Sequence, residues 1–389
     1  MQTPSPTAGS DASTSSASVV VITGASSGIG RSTAAAFARR GWKIGLIARG
    51  HAGLEATRNA LLRSDATRSA ASVASACADV SDPVALEAAA AQLEAALGAA
   101  DVWVNCAGNG TFGRFLDSSP EEFKRVTDVT YMGSVNGTRA ALMRMLPRDQ
   151  GCIVNVCSAV AFHGMPLLSS YSGAKHALRG FDQSVRAELA QDGRRVRLTT
   201  VFPPAVNTPF FDHAVSHMRG LGRPMAPVYQ PHVIAEAIYL AATTRRHELL
   251  ITFTTTLFAV AVRLMPGIVR RAIHRLGYEG QLNDDPHAKA RHKPTLFAPS
   301  ETASASRGAF DSISRARSAQ VSLLCWLADA RRSLHRRLGF APRPTEPTVA
   351  DTTLQGTSTR QTPIVSTRAQ SIDATHSLPI SRKNTPPPR

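Results

Sequence analysis

Val19-Val20-Val21-Ile22-Thr23-Gly24-Ala25-Ser26-Ser27-Gly28-Ile29-Gly30 decides the fold. Four consecutive β-branched apolar residues and a threonine read as a buried strand, and the glycine-rich stretch after them ends that strand. Arg31 and the residues up to Arg40 then carry a helical pattern. Gly24, Gly28 and Gly30 would permit a tight backbone path, close approach of a pyrophosphate and tight packing of helix on strand. The helix N-terminus would point at phosphate, and Ser26, Ser27 and Ile29 would share in that cradle. A glycine triplet also serves as a plain connector, so its place directly after the first strand is what gives it weight.

Working outward, further apolar runs over residues 43–48, 73–79, 102–105, 152–157 and 197–202 read as buried parallel strands. Between them, residues 30–40, 51–63, 83–97, 120–146 and 171–191 are long enough for helical crossovers. Asp82-Pro83 and Ser119-Pro120 look like helix starts, since proline lacks an N–H that the first turn would leave unpaired anyway. Residues 249–262 are the most apolar stretch, short of the roughly 20 residues needed to span a bilayer, and suit a last strand running into a helix. The expected fold is α/β, a doubly wound parallel sheet with helices on both faces.

The alternation covers residues 18–280 of the 389, and the flanks are dominated by Ser, Thr, Ala, Pro and Arg. We therefore expect a poorly ordered extension over 1–17, one Rossmann-type domain over 18–280, and a basic, mostly disordered tail over 281–389. Half of the formal net charge of +16 lies in that tail. No zinc-finger, RNA-recognition or helix-turn-helix pattern accompanies it, which disfavours a nucleic-acid partner. Residues 321–340 hold Leu323, Leu324, Trp326, Leu327, Leu334 and Leu338 among several arginines, the pattern of a basic amphipathic helix that docks on the protein or contacts a membrane. Five cysteines without metal-ligand spacing, and an N-terminus without an apolar signal core, lead us to expect a reducing, cytoplasmic setting, with peripheral membrane contact through the tail as the variant.

Chemistry is carried by Tyr171-Ser172-Gly173-Ala174-Lys175. Four residues apart on a helix, phenol and ammonium share a face, so the cation would stabilise a phenolate and lower a pKa that is ordinarily about 10. Such a tyrosine can donate and accept protons. Ser158, thirteen residues earlier at the end of an expected strand, supplies a hydrogen-bond donor beside it.

These segments, together with Asn105-Cys106-Ala107-Gly108, resemble the short-chain dehydrogenase/reductase family in its single-domain subtype of about 250 residues. The resemblance runs over residues 18–280 and rests on order and spacing as well as on the motifs. It implies that Ser158 hydrogen-bonds the substrate oxygen, that Tyr171 transfers the proton, and that Lys175 lowers the tyrosine pKa and binds the nicotinamide ribose. It implies further that Asp79 and Val80 contact the adenine, that Asn105, Ala107 and Gly108 border the adenosine, and that Pro203, Val206 and Thr208 meet the nicotinamide end. At the end of the second strand, Ala48-Arg49 places a cation where a carboxylate would select NAD, so NADP is the expected cofactor and NAD the less favoured one.

Two positions depart from the family pattern. Thr130, in Thr130-Tyr131-Met132-Gly133, stands where relatives use an asparagine in a water-mediated proton relay, and a hydroxyl lacks the amide's two donors. Pro204 replaces the glycine of the usual Pro-Gly pair and stiffens that turn. Phe210, Phe211, Met218, Leu221 and Met225, with His163, Met165, Leu167 and Leu168, point to an apolar pocket. The expected activity is an NADP-dependent interconversion of an alcohol and a ketone or aldehyde on a small apolar substrate, by a homo-oligomer. The alternative is a non-catalytic cofactor-binding protein working through its basic tail; it would be expected to have lost Tyr171 or Lys175, and this chain has both.

Overall fold

Each β-branched run becomes a strand, and each helical pattern lies across the sheet from it. In the computed structural model, which describes residues 17–63, 72–283, 292, 294–302 and 305–337, the elements follow in order. They are β1 (Val19–Thr23), α1 (Gly28–Ala38), β2 (Lys43–Ala48), α2 (His51–Leu62), β3 (Val73–Cys77), α3 (Pro83–Leu97) and β4 (Val102–Asn105). Then come α4 (Pro120–Thr127), α5 (Gly133–Met145), β5 (Cys152–Val156), α6 (Ser169–Gln191), β6 (Arg197–Phe202), α7 (Pro231–Thr243) and β7 (Glu248–Leu250). After these lie α8 (Phe253–Leu264), α9 (Pro266–Leu276) and α10 (Ala319–Arg337).

Seven parallel strands form one sheet in the order β7-β6-β5-β4-β1-β2-β3. The order reverses between β1 and β4, so their C-terminal ends frame the crevice where such sheets bind ligands. In register, Val20 lies between Ile44 and Val102. Alternation sorts the side chains: Val20 and Ile22 join Phe37, Ile234 and Ile238 on one face, whereas Val21 joins Leu86, Leu93 and Met145 on the other. Asp82 caps α3 by accepting hydrogen bonds from the amides of Val84 and Ala85, and Ser119 and Glu122 form a reciprocal capping box on α4.

The helix expected over 120–146 is not one regular helix. A π-turn over Asp128–Met132 separates α4 from α5, which places the buried Thr130 in widened backbone. Parts of the region after Gly280 pack on the domain. Ser314–Arg315 pairs in parallel with Val228–Tyr229, and α10 packs on α7 with Val321 buried in the main core. Apolar surface on one side of α10 is spent on the domain, while Leu323, Trp326, Leu327 and Leu334 face outward. The N-terminal extension over residues 1–16 and the tail beyond 337 lie outside the described residues. Among the described residues no helix is long and apolar enough to cross a membrane.

A buried polar chain crosses the sheet toward α6. Trp103 Nε1 donates to Asn105 Oδ1 at 2.8 Å, Asn105 Nδ2 to Asn155 Oδ1 at 2.8 Å, and Asn155 Nδ2 to Asp182 Oδ1 at 2.6 Å. Thr200 Oγ1 completes it by donating to the other Asp182 oxygen at 2.6 Å. Burial pushes the Asp182 carboxyl up to about 6 from its ordinary 3.8, against these hydrogen bonds and the pull of Arg186 and Lys175. The folded protein therefore holds this proton more tightly than the unfolded chain, a contribution fully present below about pH 3.8 and lost as pH rises through about 6. Relative to Asp182→Asn, the wild type is expected to lose on the order of 2–3 kcal/mol between about pH 4 and about pH 7, measured by urea unfolding. A difference that stays constant with pH would show that Asp182 does not titrate this way.

Candidate active site

The turn after β1 is closed by contacts that leave no room for side chains. Gly24 has φ +67°, and a Cβ on it would lie 2.7 Å from Ala107 Cα; a Cβ on Gly30 would lie 2.2 Å from Gly24 O. Thr23 Oγ1 accepts from the amides of Cys106 and Ala107 at 3.1 and 3.3 Å, so the turn and the Asn105–Gly108 segment brace each other. Gly28 faces Thr208, whose Cβ would lie 3.3 Å from an added Cβ. The turn is thus a cradle that a Cβ would fill, and it fits a pyrophosphate by the room it keeps beside the start of α1.

One cavity of about 510 Å³ joins this turn to the expected chemistry. Gly24, Ser26, Ser27, Gly28 and Ile29 line it together with Arg49, Asp79, Val80, Ala107 and Gly108. Ser158, Tyr171, Lys175, Pro203, Val206 and Thr208 line it too. Asn105 and Gly30 sit behind this wall, the first in the polar chain and the second under the turn. The apolar lining includes Met165, Leu168, Phe210, Phe211 and Met225 but not His163, Leu167, Met218 or Leu221. Phe112 and Phe258, absent from the sequence reading, are part of it. Phe112 lies in a two-residue strand and Phe258 far along the chain on α8, so no local pattern announced them.

Ser158 follows β5 by two residues and opens a short 3₁₀ turn, its Oγ accepting from the amide of Val160 at 3.3 Å. Tyr171 stands in the first turn of α6, its ring 5.3 Å from that of Phe210. Lys175 Nζ lies 5.6 Å from the centroid of the Tyr171 ring and donates to Val156 O at 2.8 Å. Burial raises the Tyr171 phenol above its ordinary value, and a hydrogen bond with Ser158 opposes the rise. Burial likewise lowers the Lys175 ammonium. Lys175 and Tyr171 lie on one face of α6, and desolvation is the largest influence on each group. Cys106 and Cys157 are pushed up to about 12 by burial and stay thiols.

Thr130 is buried, and its hydroxyl donates to Asn109 O at 3.1 Å while accepting from the Asn109 amide at 3.2 Å. Those two bonds leave it no spare donor, so Thr130 steadies the 105–109 segment. Val80 presses against α5, where a Cβ on Gly133 would lie 2.4 Å from it. Asp79 pairs with Arg125 and lies 3.8 Å from Arg49. The hydrogen bonds from Arg125 and Ser81 outweigh burial and lower the Asp79 pKa.

Arg49 is engaged by the tail. Its guanidinium donates to the carbonyls of Thr295, Leu296 and Phe297 at 2.9 to 3.3 Å. Farther along, the amide of Gly28 donates to Ala305 O at 3.2 Å, and Asn207 holds Asp311 and the amide of Phe310. The segments 294–302 and 305–311 therefore run over the glycine turn and the cation at β2, placing carbonyl oxygens on donors suited to phosphate. Sequence reasoning could not find this strap, because it has no periodicity and its bonds use backbone atoms.

A doubly wound parallel sheet with a glycine cradle at its switch point defines a nucleotide-binding fold. The short chain dehydrogenase family profile matches residues 18–219. An uncharacterized oxidoreductase, YxnA, of Bacillus subtilis is 32% identical over 281 residues, covering 72% of this chain and 77% of its own. The Bos taurus dehydrogenase/reductase SDR family member 7B is 32% identical over 262 residues, covering 65% and 79%. The structure of an alcohol dehydrogenase from Thermococcus sibiricus complexed with 5-hydroxy-NADP superimposes with a TM-score of 0.51 at 29% identity, over 60% of this chain and 95% of that one. The chain belongs to the short-chain dehydrogenase family, whose members are oxidoreductases that bind a nicotinamide cofactor.

Removing the cation should loosen the strap. Arg49→Ala is expected to speed hydrogen exchange of the Thr295 amide, which donates to His213 O at 2.9 Å, by about tenfold or more. Unchanged exchange would mean that the strap is held without Arg49.

Proposed function

We propose that this oxidoreductase interconverts an apolar alcohol and its ketone or aldehyde with NADP, Tyr171 acting as general acid and base. The observation that carries this reading is the single cavity with a phosphate-suited glycine turn and Arg49 in one part of its wall and Ser158, Tyr171 and Lys175 in another. Residues that would hold the cofactor are Gly24 and Ser26 to Ile29 at the pyrophosphate, and Arg49 at a 2′-phosphate. Asp79 and Val80 would serve the adenine, Lys175 with Tyr171 the nicotinamide ribose, and Val206 with Thr208 the nicotinamide. The bound cofactor would supply or take up the hydride.

The protein's own groups would manage the proton and the substrate. A phenol suits donation to an oxygen that gains negative charge, and Ser158 would offer that oxygen a second hydrogen bond. Alcohol oxidation runs the other way and needs the phenolate, so its rate should rise with pH in the alkaline range while carbonyl reduction does not. Phe112, Phe210, Phe211, Phe258, Met165 and Leu168 favour an apolar substrate body. The 5-hydroxy-NADP complex of the Thermococcus alcohol dehydrogenase supports the choice of cofactor by likeness, as does the guanidinium of Arg49. Seating a 2′-phosphate on Arg49 exchanges the carbonyls of Thr295, Leu296 and Phe297 for the phosphate, so the strap must shift there.

The test uses the purified full chain with NADPH and NADH separately and a panel of apolar ketones and aldehydes. NADPH should be consumed in preference to NADH, and Tyr171→Phe should lower kcat by about a hundredfold or more while NADPH binding by fluorescence is retained. Arg49→Asp should reverse the preference toward NADH by about tenfold. Full turnover by Tyr171→Phe would sink the proton-transfer role; NADPH binding without turnover of any carbonyl would favour a non-catalytic cofactor-binding protein.

A further inference from the structure

α8 and α9 leave an apolar face that no other element covers among the described residues. On α8 the exposed residues are Phe253, Leu257, Val260 and Leu264, spaced by four, three and four, so they form a single stripe. Phe253 and Leu264 are each 71% exposed. The stripe continues through Met265 into α9, where Ile268 and Leu276 are each 65% exposed while Val269 and Ile273 turn inward. Patterning of this kind is abnormal for a solvated helix, whose outward face is ordinarily polar.

The charges around the stripe have one sign. Residues 253–276 contain Arg263, Arg270, Arg271, His274 and Arg275, all exposed, and no aspartate or glutamate. From these observations we propose that the α8–α9 pair is a docking surface for an anionic lipid membrane, lying in the interface with its apolar stripe inserted and its arginines among the headgroups. The charge chooses this occupant over a second copy of the chain. A symmetric pairing through the same face would set arginines against arginines, whereas an anionic headgroup layer neutralises them. Each arginine near such a surface is worth about a fivefold gain in partitioning, and the buried stripe adds to it.

The placement has a consequence for the cavity. Thr254, Thr255 and Phe258, on the other side of α8, line it, so one helix forms both the cavity wall and the proposed lipid-facing surface. This surface is distinct from the outward residues of α10.

The experiment is vesicle sedimentation of the full-length protein, using phosphatidylcholine alone and phosphatidylcholine with about 30% phosphatidylserine. Wild type should partition at least about tenfold more strongly to the anionic vesicles. The double variant Leu257→Glu/Leu264→Glu and the double variant Arg270→Glu/Arg271→Glu should each reduce that binding by about tenfold or more, while Leu323→Glu/Trp326→Glu on α10 leaves it intact. All these positions are exposed, and unchanged circular dichroism and melting checks that the variants fold. Absence of vesicle binding by wild type would overturn the proposal, as would loss that follows only the α10 variant. A dimer in analytical ultracentrifugation that Leu257→Glu/Leu264→Glu dissociates would assign the face to a second copy instead.

Discussion

The hydrogen bonds of the buried Asp182 carboxyl to Asn155 on β5 and Thr200 on β6 set where α6 lies on the sheet. Lys175 is seven residues earlier on the same helix, and its own bond to Val156 O fixes a second point one strand-end away. Two attachments on one helix leave little freedom to slide, and so Tyr171 arrives beside Ser158 at the end of β5. A buried carboxyl is a costly way to make such a joint unless every oxygen is satisfied, and here both are. Through Asn155 and Asn105 the same chain of bonds reaches β4, whose following segment braces the glycine turn. The two functional parts of the cavity are therefore held by one polar path through the sheet.

That arrangement explains why desolvation dominates the site. Lys175 is buried and Tyr171 half-buried at the cavity wall, and desolvation lowers the ammonium and raises the phenol. Sequence spacing brings the two groups to one helix face but is silent on how far each is desolvated. Spacing measures which groups share a helix face; burial depends on Phe210 and the surrounding walls, which come from distant segments.

The six strands expected from apolar runs appear within two residues of their observed ends, and the final apolar stretch becomes a short strand followed by α8. Such buried parallel strands announce themselves because both faces are apolar. The glycine turn was equally readable, since Gly24 and Gly30 are required by contacts within the motif's own neighbourhood. The π-turn at Thr130 and the strap over Arg49 were not readable. The first keeps a helical periodicity on both sides, and the second is polar, irregular and bound through carbonyl oxygens that every residue possesses. The packing of the segment after Gly280 was unreadable for the same reason, because Ser314–Arg315 pairs with the distant Val228–Tyr229 and Val321 joins the main core.

A crystal structure of the full chain grown with NADP would test the proposed cofactor site, where the strap lies on Arg49. The pyrophosphate is expected at the glycine turn, the nicotinamide ribose beside Tyr171 and Lys175, and the 2′-phosphate on Arg49 with the carbonyls of Thr295, Leu296 and Phe297 moved away. Density showing those carbonyls still on Arg49, with the dinucleotide bound elsewhere or Tyr171 remote from the nicotinamide, would contradict it.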